Sequence, residues 1–175
     1  LTDSANQELL HWATLCNDAE IQRDSDGNRK DLGDPTEIAI VVAGETAGLL
    51  KKELEATTPR VSEVPFDSGR KLMTTVHQLP NGTYKVITKG APDVLLSRCS
   101  RFLGQPITSD HHKQIEAANL AMAERALRVL SVGTKIVTTL PEEATSEFYE
   151  TDLDFLGLLG MIDPPRPEVK VAVET

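Results

Sequence analysis

The chain is 175 residues long, which is enough for one domain with a sizeable core, and because only 4% of its residues are aromatic, aliphatic side chains must build that core. The net charge of −9 argues against a surface for nucleic acid or for an anionic membrane. Uncharged apolar runs such as 38–44 and 156–162 are far shorter than the about 20 residues that a membrane-spanning helix needs.

The first residues are polar and acidic rather than basic and then apolar, so we expect no signal peptide at the start of this sequence. Cys16 and Cys99 are far apart and form neither a CxxC motif nor a disulfide framework. Two lone thiols are typical of a protein in an intracellular, reducing compartment.

Helices are predicted for most of the first third of the chain. Apolar residues recur with helical periodicity over 6–18, whereas 24–31 is a polar loop that lacks the glycine position and final glutamate of a calcium loop. The next helix begins at Asp34 as N-cap, with proline at the first helical position and Glu37 placed to complete a capping box. A short amphipathic helix follows over 49–56.

A β-hairpin is predicted by two runs rich in β-branched and apolar residues, 71–76 and 84–88, with an Asn-Gly pair between them. Such a hairpin can hold Phe66, Lys71 and Lys89 close together. Residues 60–90 carry five basic side chains against two acidic ones in an otherwise acidic chain. An exposed aromatic ring beside two cations suits a base that carries phosphates, so we predict a nucleotide site here, although the charges alone fit a solvated ribbon equally well.

The second half of the chain alternates between helical and β-rich segments. Helices are predicted over 91–99 and 109–127, β-rich strands over 128–140 and 154–162, and the prolines that follow stop the domain. Strands paired as hairpins, with helices mostly between and after them, indicate an α+β fold in which helices flank an antiparallel sheet.

The sequence contains neither a Gly-x-x-x-x-Gly-Lys-Ser/Thr loop nor a Gly-x-Gly-x-x-Gly fingerprint, so a nucleotide must be held in another way. Five segments of the sequence form a further pattern: Gly-Asp-Pro-Thr-Glu at 33–37, Pro-Phe-Asp-Ser-Gly-Arg-Lys-Leu-Met at 65–73, Lys-Gly-Ala-Pro at 89–92, Leu-Arg-Val-Leu at 127–130 and the stretch 157–169 around Asp-Pro-Pro-Arg. In this order, they resemble P-type cation-transporting ATPases of the type II group, which contains the calcium, sodium–potassium and related bacterial pumps.

The resemblance implies a nucleotide-binding domain over 1–163 and, over 164–175, a hinge that returns to a missing phosphorylation domain. Such a domain binds ATP with Mg²⁺, whose ligands lie mostly outside this chain, and presents the γ-phosphate to an aspartate of the phosphorylation domain. The family's Asp-Lys-Thr-Gly-Thr motif is absent from the sequence. We therefore expect no catalytic residue here and no turnover by the fragment alone.

The resemblance also implies that the phosphorylation and actuator domains of a pump are partners of this chain, on the cytoplasmic face of a membrane that the chain itself does not enter. A monomer is expected for the fragment. The motif pattern favours calcium as the transported ion, and the ion-binding residues are expected in membrane helices elsewhere.

Residue by residue, Phe66 matches the aromatic side chain on which adenine stacks, an interaction worth about 1–3 kcal/mol per base. Lys89 matches the lysine at the back of the adenine pocket, and Gly90 is expected to permit close approach of the ligand. Lys71 and Arg128 match a lysine and an arginine near the phosphates. Without the resemblance, Phe66 is more simply a core residue and Lys89 a solvated one.

Three further residues bear on the same site. Glu37 matches an acidic residue that meets the adenine amino group, in competition with its capping-box role. Ser68 stands where some members, including calcium pumps, carry an arginine, so we expect either a lower nucleotide affinity or compensation for the lost phosphate contact by Arg70 and Arg128. The adjacent pair His111 and His112 has no evident third ligand, so no metal site is expected.

Two other functions stay open. A free-standing phosphotransferase or phosphatase would need its own nucleophilic aspartate in an Asp-x-Asp or Asp-Lys-Thr type of loop after a strand, and no such loop follows a predicted strand in this sequence. An interaction domain could keep the fold without binding nucleotide.

Overall fold

The computed structural model describes residues 3–162, and it confirms the predicted α+β fold. The described part contains six helices, α1 Ser4–Leu15, α2 Pro35–Thr46, α3 Lys51–Thr57, α4 Pro92–Leu96, α5 Ser109–Glu124 and α6 Ser146–Tyr149. It contains nine strands, β1 Glu20–Arg23, β2 Arg29–Leu32, β3 Arg60–Asp67, β4 Leu72–Gln78, β5 Tyr84–Gly90, β6 Cys99–Phe102, β7 Gln105–Pro106, β8 Leu127–Val137 and β9 Leu153–Ile162. The predicted hinge, 164–175, lies outside the described residues.

Seven strands form one sheet in the order β3-β4-β5-β8-β9-β6-β7, and β1 and β2 form a separate two-stranded sheet. Every pair in the large sheet is antiparallel except β6 and β9, which run parallel. The predicted hairpin is β4 and β5, paired from Leu72 with Gly90 to Gln78 with Tyr84. The strands that carry the proposed site therefore lie in a continuous antiparallel ladder.

Helix α2 begins as the sequence predicts, but without the capping box. The Asp34 carboxylate accepts a hydrogen bond from the Thr36 N–H (2.8 Å), and proline occupies the first turn. Glu37 does not turn back to the cap. Its carboxylate instead accepts from Nζ of Lys89 (2.8 Å) and from the backbone N–H of Asp18 (3.3 Å). The charge-assisted bond to the buried Lys89 is stronger than the single bond to the cap amide that it replaces.

Three other segments differ from the sequence-based assignment. The polar loop predicted over 24–31 is the end of the β1–β2 hairpin, whose strands are exposed and carry no hydrophobic alternation. Helix α4 covers only part of 91–99, and β6 begins at Cys99. Helix α5 ends at Glu124 because the chain enters the left-handed region at Ala126, with φ 56°, before β8.

Helices cover both faces of the sheet. On one face, α1 and α2 pack on β4, β5, β8 and β9 around a core that includes Leu9, Ala13, Ile40, Ile87 and Val132. On the other face, Leu95 of α4 and Ile115 of α5 pack on the strand residues Leu72, Leu153 and Phe155. Helix α6 contributes Tyr149 to a cluster with Val76 and Val86. We call these the α1 face and the α5 face. Among the helices of residues 3–162, none combines the length and apolar character needed to cross a bilayer.

His77 is a fully buried histidine on the α1 face, held in its neutral form. Its Nδ1 donates to the Thr58 carbonyl (2.9 Å), because a carbonyl can only accept, and its Nε2 therefore accepts from the Thr75 hydroxyl (2.9 Å). Burial lowers the pKa of His77 to about 4. Protonation of Nε2 would remove the acceptor of the Thr75 hydroxyl as well as bury a charge.

We expect the free energy of unfolding to fall as the pH drops from about 6.5 to about 4, because the unfolded chain binds a proton at His77 that the folded protein does not. The two pKa values limit this loss to about 3 kcal/mol. Urea unfolding at about pH 7 and about pH 4.5 should show a smaller loss for His77→Asn, whose amide can still donate to Thr58. His112→Asn on the partly exposed side of α5 is the matched control, and equal pH dependence in both variants would contradict the assignment.

Candidate functional site

A cleft of about 550 Å³ opens on the α1 face, where β4 and β8 begin and β5 ends beside the first turn of α2. All the predicted site residues except Arg70 line it. The cleft is lined by Asp18, Asp34, Thr36, Glu37, Phe66, Lys71, Met73, Lys89, Gly90, Ala91, Pro92, Arg128, Val129 and Leu130.

The aromatic ring of Phe66 is 62% exposed at the mouth of the cleft, so it is not the core phenylalanine that its sequence context alone suggested. A β-bulge in β3 sets this position. Pairing joins Val64 to Thr74 and Asp67 to Leu72, so β3 contains one residue more than β4 between these two pairs.

The extra residue places Pro65 and Phe66 together opposite Met73, as in a bulge where two residues of one strand oppose one of the other. Met73 faces the cleft, and Phe66 lines the cleft with it. Strict alternation from Val64 would have turned the Phe66 ring to the α5 face. The bulge therefore selects the face on which the ring is displayed.

Lys71 ends the turn that joins β3 to β4, and its backbone adopts the left-handed region with φ 59°. Two bonds to Asp67 hold this turn. The Asp67 carbonyl accepts from the Lys71 N–H (2.6 Å), and its carboxylate accepts from the Arg70 N–H (2.8 Å). The exposed Lys71 side chain is thus carried on a closed turn at the mouth of the cleft.

Lys89 and Glu37 form an ion pair inside the cleft. Nζ of Lys89 lies 2.8 Å from Oε1 of Glu37, and the two side chains are only 5% and 16% exposed. The Asn17 side-chain amide donates to the Glu37 carbonyl (2.9 Å), which fixes the helix turn that carries the carboxylate. Lys89 is therefore not a solvated strand-end lysine, and its charge is matched within the protein.

Arg128 and Thr36 meet across the edge of the cleft, although 92 positions separate them in the sequence. Nη1 of Arg128 donates to the Thr36 hydroxyl (2.8 Å), and the arginine side chain is otherwise exposed. The guanidinium is positioned by β8 and held by a neutral partner, so its charge remains available to an anion.

The structure does not bring Arg70 into the cleft. Nε of Arg70 lies 2.7 Å from Oε2 of Glu150, and Nη2 donates to the carbonyls of Pro65 (2.8 Å) and Leu72 (3.0 Å). Its guanidinium is committed to protein acceptors on the α5 face of the sheet, where Glu150 is fully buried.

Gly90 lines the cleft, but its missing side chain is required by the protein itself. A Cβ at this position would lie 2.2 Å from the Lys71 carbonyl oxygen and 3.0 Å from Cα of Leu72. The sequence suggested that a ligand approaches the Gly90 backbone closely. In the structure, the backbone of Lys71 and Leu72 makes this close approach, where Leu72 pairs with Gly90 at the end of the β4–β5 ladder.

Several cleft residues were not identified from the sequence. All of them except Asp18 lie within segments that carry the family resemblance, which was the available signal for Asp34, Thr36, Met73, Ala91, Pro92, Val129 and Leu130. Asp18 has no motif around it. Which strand residues face the cleft depends on strand register, which the sequence does not specify.

Neither thiol is placed to act as a nucleophile. Burial raises the pKa of Cys16, and it raises the pKa of Cys99 to about 12. Within residues 3–162, no group of three or more His, Cys, Asp or Glu side chains is arranged to hold a metal ion.

Replacing Gly90 with alanine should destabilise the domain by about 1–3 kcal/mol, because the new Cβ has to displace the Lys71 carbonyl. Urea unfolding checks this. Gly133→Ala is the matched control, since a Cβ in the adjacent strand β8 would find its nearest neighbour, the Asp154 carbonyl, at 3.4 Å. Equal losses in the two variants would mean that the contact with Lys71 is not the constraint.

The sequence was also compared with known proteins. The family model for "P-type ATPase, cytoplasmic domain N" matches residues 5–168. The chain is 44% identical over 169 residues to calcium-transporting ATPase 1 of Bacillus cereus, covering 94% of this chain and 18% of that protein.

Relatives of lower identity include a second protein named as a calcium-transporting ATPase and one named for other ions. The chain is 37% identical to the calcium-transporting ATPase of Bacillus subtilis, over 96% of this chain and 19% of that protein. It is 36% identical to a protein of Schizosaccharomyces pombe named as a sodium/potassium exporting P-type ATPase, over 95% of this chain and 16% of that protein. The chain therefore spans less than a fifth of the length of these relatives.

Proposed function

The chain belongs to the P-type ATPase family as its cytoplasmic domain N, and from this premise we propose that it binds ATP in the cleft described above. The site comprises Glu37, Phe66, Lys71, Lys89, Gly90 and Arg128. The observation that carries the proposal is an exposed aromatic ring at the mouth of a cleft that also contains three cationic side chains.

The adenine end of the cleft is assigned to Phe66 and to the ion pair behind it. Base–aromatic stacking contributes about 1–3 kcal/mol and needs a ring that solvent can reach, as the ring of Phe66 can be. An ionised carboxylate has about four acceptor sites, and Glu37 uses two of them, for the Asp18 N–H and for Lys89. A third acceptor position on the Glu37 carboxylate can take a hydrogen bond from the adenine amino group while the ion pair with Lys89 persists.

The phosphate end is assigned to Lys71 and Arg128. Both side chains are exposed, and neither makes an ion pair within the described residues. Among the residues that the structure describes, the Arg128 side chain donates only to the hydroxyl of Thr36, and a charge-assisted bond to a phosphate is stronger than that contact with a neutral group. The guanidinium can therefore move its bond from Thr36 to the ligand at small cost.

In a complete pump, we propose, this domain carries the γ-phosphate in line to an aspartate on a separate phosphorylation domain. The chemistry there is positioning and charge neutralisation. Mg²⁺ bound to the phosphates would supply charge neutralisation, and the family resemblance assigns its ligands mostly to the rest of the pump. The relatives named as calcium-transporting favour calcium as the ion moved.

An amide NMR titration with ATP, with and without Mg²⁺, tests the site. Saturable shifts should centre on Phe66, Lys71, Lys89 and Gly90, and Phe66→Ala should weaken binding about fivefold or more because the stacking surface is lost. Leu120→Ala is the control, since it removes an equally exposed apolar side chain (60%) from α5, outside the cleft.

Unchanged spectra of the folded wild-type domain up to millimolar ATP would contradict the proposal. The fold would then serve an interaction with another protein. ATP hydrolysis by the pure domain, abolished by a change at Lys89, would contradict the separation of nucleotide binding from catalysis.

Removing the guanidinium of Arg128 should separate the two ends of the site. Arg128→Ala is expected to weaken ATP about tenfold and adenosine hardly at all, because a charge-assisted phosphate contact contributes about 1.5–3 kcal/mol. Isothermal calorimetry with the two ligands measures this. Lys113→Ala on the exposed side of α5 controls for the general loss of positive charge, and an equal loss for adenosine would contradict the phosphate assignment.

A further inference from the structure

The position of the Phe66 ring depends on a backbone segment that the strand ladder does not hold. The bulge interrupts the β3–β4 pairing between Val64 and Asp67, and Pro65 has no N–H to donate. β3 is also an edge strand of the sheet, so among the described strands no second neighbour pairs with it. Some other contact must therefore fix the bulge.

Arg70 provides that contact. One guanidinium nitrogen, Nη2, donates both to the Pro65 carbonyl in the bulge (2.8 Å) and to the Leu72 carbonyl at the start of β4 (3.0 Å). These two carbonyls lie on either side of the turn that carries Lys71. A single planar group thus fastens the bulged strand to its neighbour at the point where ladder bonds are missing.

Glu150 determines where that guanidinium lies. Its carboxylate is fully buried, with Oε2 2.7 Å from Nε of Arg70 and Oε1 accepting from the Thr74 hydroxyl (2.8 Å). The Thr74 hydroxyl is 2.9 Å from that of Thr88 on β5. Both carboxylate oxygens are therefore bound, one to the arginine and one to the middle of the sheet.

These contacts lie on the α5 face of the sheet, opposite the face on which the cleft opens. Thr74 and Thr88 face the α5 side of the sheet, whereas Phe66 is displayed on the α1 side. We propose that Glu150 is a positioning residue for the nucleotide site. Acting through Arg70, it holds the Pro65–Phe66 bulge and so presents the ring on which the base stacks. This inference rests on the proposed function.

The test is a double-mutant cycle in ATP affinity. Glu150→Gln keeps the size of the side chain and its contact with Thr74 but removes the charge that holds Arg70. We expect ATP binding to weaken about fivefold in the wild-type background and to change little in the Phe66→Ala background, because the ring it positions is then gone. Glu147→Gln, the same substitution at an exposed position of α6, should leave affinity unchanged.

A merely structural role would give a different result. General loosening of the domain would weaken ATP equally with and without the Phe66 ring, and that outcome would overturn the proposal, as would wild-type affinity in Glu150→Gln. If Glu150→Gln does not fold, Arg70→Lys replaces it in the same cycle. That variant keeps a cation beside the buried carboxylate but cannot bind the carboxylate and both carbonyls at once.

A second measurement needs no ligand. In NMR spectra of the nucleotide-free domain, Glu150→Gln should shift and broaden the Phe66 ring and Asp67 amide signals while leaving the amide signal of Gly27, in the β1–β2 turn, unchanged. Wild-type signals at Phe66 would overturn the inference even if ATP binds. If the wild-type domain binds no ATP, the proposed function fails, and these signals still decide whether Glu150 holds the bulge.

Discussion

The ion pair between Lys89 and Glu37 joins the helical layer to the sheet at the cleft. Both side chains are largely withdrawn from water, and each would be an uncompensated charge without the other. Removing one partner of such a pair costs about 3–5 kcal/mol when burial is complete, so the end of β5 and the first turn of α2 have to stay in register. The cap at Asp34 and the Asn17 amide fix the helix side of this arrangement, and the ladder from β4 to β8 fixes the other.

The elements that were predictable from the sequence are those specified by local chemistry. An N-cap aspartate followed by proline marked the start of α2, and an Asn-Gly pair between β-rich runs marked the β4–β5 hairpin. The exposed β1–β2 hairpin was missed because its strands bury nothing and so show no alternation. Local chemistry also gave a wrong result at Glu37, where a capping role lost to a cation 52 residues away.

The site was predictable as a set of residues but not as an arrangement. Phe66, Lys71 and Lys89 could be brought together by a hairpin, and the structure places all three around one cleft. The orientation of Arg70 could not be foreseen, because an arginine beside a lysine has the same charge whichever face of the sheet it takes. Its direction depends on Glu150, 80 positions later, and on a bulge that appears only when strand pairing is known.

The bulge in β3 has a consequence for how this chain can vary in length. A substitution between Val64 and Leu72 changes one side chain and leaves the strand pairing in place. A deletion or an insertion in the bulge changes the face of the sheet on which its side chains lie. Deleting Asp67 would let the ladder run regularly from Val64 and place Phe66 opposite Leu72, which would transfer the aromatic ring to the side of the sheet covered by α5. Natural and engineered relatives should therefore tolerate insertions and deletions in the exposed β1–β2 hairpin while keeping this short segment at constant length.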